Sequence, residues 1–402
     1  MATYYCDLAA AYVHGNTGAS GSPWNGAVGF QRALDTIPYN STIWVEGEAD
    51  LRKLQVITYN NLAGGVFAAG DTVTESGAAL WAATVYTDNG ATQMVVEVTA
   101  GVPVNGQTFD NGAGVSADVN GVPGRPGIVT KINGTSANTV RIQGTDDITS
   151  VDLDELGLAY LATLNANSDA LIPQCVLWGH DHHVIANLVG KGSVGNGFTF
   201  SGATYCVVKW CISELNATNG FYGMSTSIIS HCIARNNTEH GFYTSNGVRL
   251  SLCLSHGNTN SDGIYSNDYG AVYGCLCYDN GGKGIACDRY TAVFNCVCDD
   301  NAGGGIRPDA AYTTAVIGCR GTNNIGDGFT TGAGNDYFDY CVAHGNSVAG
   351  WDPSVQRIEP TCNAAPVDDG YVNAGLRDYN LKGGAEISGE AADSEIDLNW
   401  DP

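Results

Sequence analysis

The sequence predicts an all-β solenoid in which one short coil of chain is repeated and stacked. Three observations carry this. Cysteines recur at Cys211, Cys232, Cys253, Cys275, Cys296, Cys319, Cys341 and Cys362, with spacings of 21, 21, 22, 21, 23, 22 and 21 residues. An asparagine stands five residues after each of the first seven: Asn216, Asn237, Asn258, Asn280, Asn301, Asn324 and Asn346. A glycine and a bulky apolar residue then open the next unit, as in Gly220-Phe221, Gly241-Phe242, Gly263-Ile264, Gly284-Ile285, Gly305-Ile306, Gly328-Phe329 and Gly350-Trp351. A period near 22 built from short β-prone runs with Gly and Asn corners is one turn of a parallel β-solenoid.

Stacked coils lie about 4.8 Å apart, so equivalent residues form columns along the axis. Val208, Ile229, Leu250, Val272, Val293, Val316 and Phe338, three residues before each cysteine, form an apolar column. The asparagines form a ladder of side-chain amides, because a buried amide left unpaired costs about 1–3 kcal/mol. The cysteines form a column too, since cysteine is small, apolar and readily buried. Two Cys-x-Cys pairs, Cys275/Cys277 and Cys296/Cys298, first suggest a metal. However, Cys277 and Cys298 align with Ala234, Ser255, Gly321 and Ala343, whose shared property is small size.

The pattern V-x-x-C-[hydrophobic]-x-x-x-N…G-[IF] resembles the right-handed parallel β-helix repeat of the pectate-lyase-like superfamily over about residues 182–365. That resemblance implies the fold and says little of function, because the fold hosts lyases, hydrolases, phage tailspikes and inert scaffolds. It also implies where catalytic groups belong. Pectate lyases set calcium-binding aspartates beside an arginine or lysine base. Here Arg235, Arg249, Lys283, Arg289, Arg307 and Arg320 make no column opposite an acid cluster. Polygalacturonase motifs are matched only by fragments, "NTNSDG" at 258–263, "DD" at 299–300 and "SHGN" at 255–258, in neither the full set nor the order.

The remaining elements follow in chain order, in segments 1–56, 57–150, 151–370 and 371–402. Within 1–56, "WNGAVGFQRALDTIP" places Val28, Phe30, Ala33, Leu34 and Ile37 on one side of a short helix ended by Pro38. "STIWVEGE" follows as a strand. A helix before the first coil caps an open solenoid end. Segment 57–150 reads as an inserted small β domain of two related halves. In it, Gly70 and Val73 of "GDTVTESGAALWAATV" match Gly106 and Phe109 of "GQTFDNGAGVSADV". Its pattern resembles a module common in bacteriophage virion proteins. Residues 150–164, "SVDLDELGLAYLATL", read as a short helix. The tail is acidic and unrepeated, carrying Glu386, Glu390, Asp393, Glu395, Asp397 and Asp401.

Composition narrows the partners. The formal charge of the 402-residue chain is −24, a field that repels nucleic acid and anionic membranes. No run approaches a membrane span, and the first residues lack the pattern of a signal peptide. Synthesis in a reducing cytoplasm is therefore expected, with the cysteines as free thiols and the protein reaching a virion or the outside by lysis. No cofactor is expected.

Two groups of residues are candidates for chemistry. His180, Asp181, His182 and His183 form "HDHH"; as a strand it sets His180 and His182 on one face, a weak metal-site candidate against a polar coil edge. Asp268, Asp288 and Asp309, with Tyr269, Tyr290 and Tyr312, give short columns of acids beside aromatics. Such columns suit sugar stacking and general acid–base work, or only a solvated surface. Two functions remain. One is a bacteriophage virion structural protein (a head decoration, fibre or tailspike-like subunit), with surface polysaccharide as a candidate ligand and other virion proteins as partners. The other is a polysaccharide lyase or glycoside hydrolase. Finally, Ile212, Ile233, Leu254, Leu276, Val297 and Val342, with Arg320 between the last two, follow the cysteines. If the cysteines face inward, this stripe faces outward and suits the interface of a homo-oligomer, a trimer by resemblance.

Overall fold

A computed structural model describes residues 2–10, 18–19, 23–36, 41–77, 80–125, 127–129, 140–144, 162–308, 314–331, 336–349, 371–373 and 378–381. The chain is an all-β, right-handed parallel β-helix and divides into two compact units, Met1–Ser201 and Gly202–Pro402.

In the first unit the helix Gly26–Thr36 buries Val28, Phe30, Ala33 and Leu34. Ile37 lies outside the described residues. The strand Ser41–Glu46 pairs in parallel with Ala2–Asp7 on one side and Val140–Gly144 on the other. Ile43, Ile142 and Ile185 share one register and are fully buried. Two further parallel faces start at Glu48–Asp50 and Ile128–Val129. The helix expected over 150–164 meets a strand at its end, because Ala162–Asn165 pairs with Glu48–Asp50 and Leu188–Lys191. Residues 145–161 lie outside the description. The apolar alternation of "ATLN", with Ala162 and Leu164 buried, overrides the helical spacing before it.

Between these coil strands the chain closes a six-stranded antiparallel barrel from Leu54 to Val119. Strands Ile128–Val129 and Val140–Gly144, which the sequence reading put in the inserted domain, pair in the coil faces instead. The two barrel halves repeat each other in detail. Gly70 N–H donates to Val85 O at 2.8 Å and Gly106 N–H to Val119 O at 2.7 Å. Val85 and Val119 return the bond to Asp71 O and Gln107 O, both at 2.8 Å. Val73 and Phe109 both point into a core that includes Trp81, Tyr59 and Phe67. Both turn glycines have positive φ, 93° at Gly70 and 84° at Gly106, which explains the residue type at the matched position.

In the second unit the coils from Val207 to Pro308 have three strands each, and the described parts of the two that follow have two. The register pairs Val208, Ile229, Leu250, Val272, Val293, Val316 and Phe338 in one column, all fully buried. A second column runs Phe221, Phe242, Ile264, Ile285 and Ile306. The cysteines lie between strands at a sharp corner. The residue before each has positive φ: Trp210, His231, Leu252, Gly274, Asn295, Gly318 and Tyr340. A second left-handed corner precedes each ladder asparagine, at Leu215, Asn236, Gly257, Asp279, Asp300, Asn323 and Gly345. No described coil places glycine at both of these corners, so side chains such as Leu215 and Leu252 carry real strain in exchange for the turn.

The ladder is continuous across the described coils. Asn216 Nδ2 donates to Asn237 Oδ1 at 2.9 Å, Asn237 to Asn258 at 3.0 Å, and Asn258 to Asn280 at 2.8 Å. Asn280 donates to Asn301 at 2.9 Å, Asn301 to Asn324 at 3.0 Å, and Asn324 to Asn346 at 2.9 Å. The opening glycines serve close approach rather than unusual φ. A Cβ at Gly263 would sit 2.7 Å from Gly284 O, and one at Gly284 2.5 Å from Cys298 Sγ.

The stripe beside the cysteines does lie on the opposite side of its strands, because Ser213, Ala234, Ser255, Cys277, Cys298, Gly321 and Ala343 point inward and are fully buried. It is less exposed than a bare ribbon. Ile212, Ile233 and Leu254 are half-buried, while Leu276, Val297 and Val342 are buried, and Leu254 and Tyr278 pack against the Leu276–Val297 pair.

Candidate functional site: a tyrosine ladder beside a mixed polar column

The third strand of each coil opens with Gly-Phe-Tyr or Gly-Ile-Tyr in three successive turns. Alternation sends Phe221, Phe242 and Ile264 inward and Tyr222, Tyr243 and Tyr265 outward. Tyr222 and Tyr243 stack with centroids 5.2 Å apart, and Tyr243 and Tyr265 at 5.1 Å with planes only 8° from parallel. The column continues through Ala286 to Arg307, so the aromatic run ends at a small residue and then a cation.

The residue just before each opening glycine forms the adjoining column: Asn219, His240, Asp262, Lys283. Side chain and backbone tie neighbouring coils together here. The backbone N–H of His240 donates to Asn219 Oδ1 at 3.1 Å, and the backbone N–H of Lys283 to Asp262 Oδ1 at 2.7 Å. The imidazole Nδ1 of His240 lies 3.8 Å from Asp262 Oδ2. The ring packs tilted on both Tyr243, at 5.4 Å, and Tyr265, at 5.6 Å. Burial pushes the His240 imidazole below its ordinary value, with the Asp262 carboxylate opposing. A neutral imidazole against a carboxylate, at the edge of a half-buried aromatic run, can accept a proton or hydrogen-bond a hydroxyl. Tyr265 Oη also reaches Asp288 Oδ2 at 3.4 Å.

The residues singled out from sequence divide between places. Tyr269 and Tyr290 do stack, at 5.3 Å and 17°, on the corner after the third strand, where both have positive φ and are exposed. Asp268 is not free for chemistry there, because Arg289 clamps it through Nε at 3.0 Å and Nη2 at 2.5 Å. Asp288 sits with Tyr265 instead. Asp309 and Tyr312 lie outside the described residues. Arg235 pairs with Glu214 at 2.7 Å.

The "HDHH" segment does not form the expected strand face. His182 has φ 57° and makes a corner, and the strand begins only at His183, which is buried against Trp178. Among the described residues no group of three or more His, Cys, Asp or Glu is placed to hold a metal. The tyrosine ladder was missed from sequence, although G-[FI]-Y in three consecutive coils was its signal.

No protein-family model matches the sequence, and no curated protein does. Solved structures do. Pectate lyase Pel9A is 13% identical, with a TM-score of 0.53 over 97% of this chain and 90% of its own. XylC in complex with xylose gives 9% identity and a TM-score of 0.48 over 88% of this chain and 76% of its own. The tailspike protein gp49 from Pseudomonas phage LKA1 gives 11% and 0.28 over 81% of this chain and 70% of its own. At 13% identity the likeness to Pel9A shows the β-helix fold and nothing of activity.

Proposed function

We propose that this chain is a structural or receptor-binding subunit of a bacteriophage virion, and that it holds a polysaccharide along the Tyr222–Tyr243–Tyr265 face. The observation that carries the sugar-binding reading is the ladder itself. Three stacked, outward tyrosines on a rigid scaffold offer a strip of aromatic edges and hydroxyls at coil spacing, and the neighbouring Asn219, His240, Asp262 and Lys283 offer donors and acceptors for hydroxyls. The virion assignment rests on the sequence pattern of the barrel insert, which resembles phage virion modules. Other virion proteins are its proposed partners.

The second reading, a polysaccharide lyase or glycoside hydrolase, is favoured by one feature. His240 and Asp262 stand side by side next to the ladder, and burial keeps the imidazole neutral.

One experiment addresses both. Co-sedimentation of the full chain with a panel of acidic and neutral polysaccharides reports binding. Unsaturated-uronate absorbance and reducing ends report cleavage. Tyr243→Ala, which breaks the ladder at its middle ring, is expected to weaken binding at least fivefold, the lower end of the roughly 1–3 kcal/mol per ring that aromatic contacts contribute to nucleic-acid binding. Unchanged binding by Tyr243→Ala removes the ladder from the reading. Cleavage abolished by His240→Gln replaces the structural reading with the enzymatic one.

A further inference from the structure

Where the chain leaves the first coil for the barrel, it makes a short turn, Leu51–Lys53, capped by Asp50, whose carboxylate accepts Arg52 N–H at 3.0 Å. A cleft of about 350 Å³ opens there, between this turn, the barrel segment 98–102, Arg125 and Asp169. All of it belongs to the unit Met1–Ser201.

Its charge is unlike the rest of the molecule. The chain has 17 Lys and Arg against 41 Asp and Glu, yet Arg52, Lys53 and Arg125 line this one cleft with only Asp50 and Asp169 opposite. Arg52 grips Asp50 through Nε at 2.9 Å and Nη2 at 2.6 Å, and Arg125 pairs with Asp169. Lys53 enters no ion pair among the described residues, so one positive charge is in surplus. Two polar atoms of the wall are also unsatisfied. Arg125 Nε, a donor, and Gln55 Oε1, an acceptor, are buried without a hydrogen-bond partner among the described residues, and Gln55 is only 2% exposed. Buried polar atoms are rarely left so, and a bound molecule is one of the standing explanations.

We infer that this cleft is a binding site for a small hydroxylated carboxylate, of the sugar-acid class. A carboxylate answers the surplus charge of Lys53 beside Arg125, a hydroxyl can donate to Gln55 once its closed-off amide turns toward the cleft, and the volume is at the lower end of small-molecule pockets. The site lies on the barrel side of the first coil. It is independent of the tyrosine ladder and does not rest on that reading.

The test is calorimetric titration of the full chain with glucuronate, glucose and inorganic phosphate at low ionic strength. Glucuronate is expected to bind, glucose at least tenfold more weakly, and phosphate more weakly than glucuronate. Lys53→Gln, on an exposed residue whose loss does not threaten folding, is expected to weaken glucuronate at least fivefold. Arg125→Gln is expected to weaken it further, provided circular dichroism shows the fold kept. Tyr243→Ala is expected to change nothing. Equal binding of glucose, phosphate as tight as glucuronate, indifference to Lys53→Gln, or loss of binding in Tyr243→Ala each overturns the assignment.

Discussion

At the scale of single residues, the ladder amides make the clearest energetic statement. Asn280 Oδ1 accepts from both the side chain and the backbone of Asn258, and its Nδ2 donates to Asn301 Oδ1 and to Ser255 O. Asn280→Leu therefore strands partners in the coils on both sides, at about 1–3 kcal/mol each. Asn216→Leu removes the side-chain donor to Asn237 Oδ1 and Ser213 Oγ, while the Asn216 backbone N–H still serves Asn237 Oδ1. The mid-ladder variant is expected to show the larger fall in denaturant midpoint, and equal shifts would contradict a continuous ladder. His240 makes a pH statement. Its folded value is lowered by burial, as is that of His231. The unfolded chain therefore takes up protons first as pH falls below about 6.5, and stability drops with it. His240→Gln is expected to lose less stability than the parent between pH 7.5 and 5.5, measured as urea midpoints.

At the scale of the coil, the sequence showed its period but not its corners. The Val, Cys, Asn and Gly-Phe columns could be placed because burial and amide pairing demand the same residue type in every turn. The left-handed corners were illegible, since Trp210, His231, Leu252 and Tyr340 share a backbone conformation but no side-chain chemistry. The tyrosine ladder is harder to read than the Tyr269–Tyr290 column, because its run ends after three coils at Ala286. The small barrel was legible as two halves because a positive-φ glycine marks each, while its end was misjudged. Strands Ile128–Val129 and Val140–Gly144 are too short to announce which sheet they join. The opening glycines yield a direct test. Gly263→Ala would push a methyl to 2.7 Å from both Asn280 Nδ2 and Gly284 O, an overpacking expected to cost about 1–3 kcal/mol. Gly179→Ala, with nothing nearer than 3.9 Å, is expected to stay within about 0.5 kcal/mol of the parent by thermal melt.

At the scale of the whole molecule, the thiols and the outer stripe decide how the protein behaves in solution. The thirteen cysteines among the described residues are unbridged and buried. Burial pushes up the thiols of Cys232, Cys253, Cys296 and Cys319, and that of Cys175 to about 12. Iodoacetamide is expected to label few of them in the native protein and nearly all after unfolding without reductant. Unlabelled, bridged cysteines in freshly unfolded protein would contradict this. We propose that the stripe through Ile212, Ile233 and Leu254 contributes to a homo-oligomer, with a trimer expected. Light scattering at micromolar concentration decides, because a mass near 41.9 kDa is that of a monomer and defeats the proposal.

The asparagine row has a direction. Every link runs from the nitrogen of one coil to the oxygen of the following one, from Asn216 through to Asn346, and no described link runs backwards. Hydrogen bonds in such a series polarise one another, so the row carries an electrical sense along its length. A coil spliced in or cut out in phase, for example removal of residues 234–254 so that Ser255 takes the place of its register partner Ala234, preserves that sense and joins like to like. The molecule is thus extensible in whole steps of one turn, much as a polymer is, while any fractional step leaves an amide facing a residue that cannot answer it.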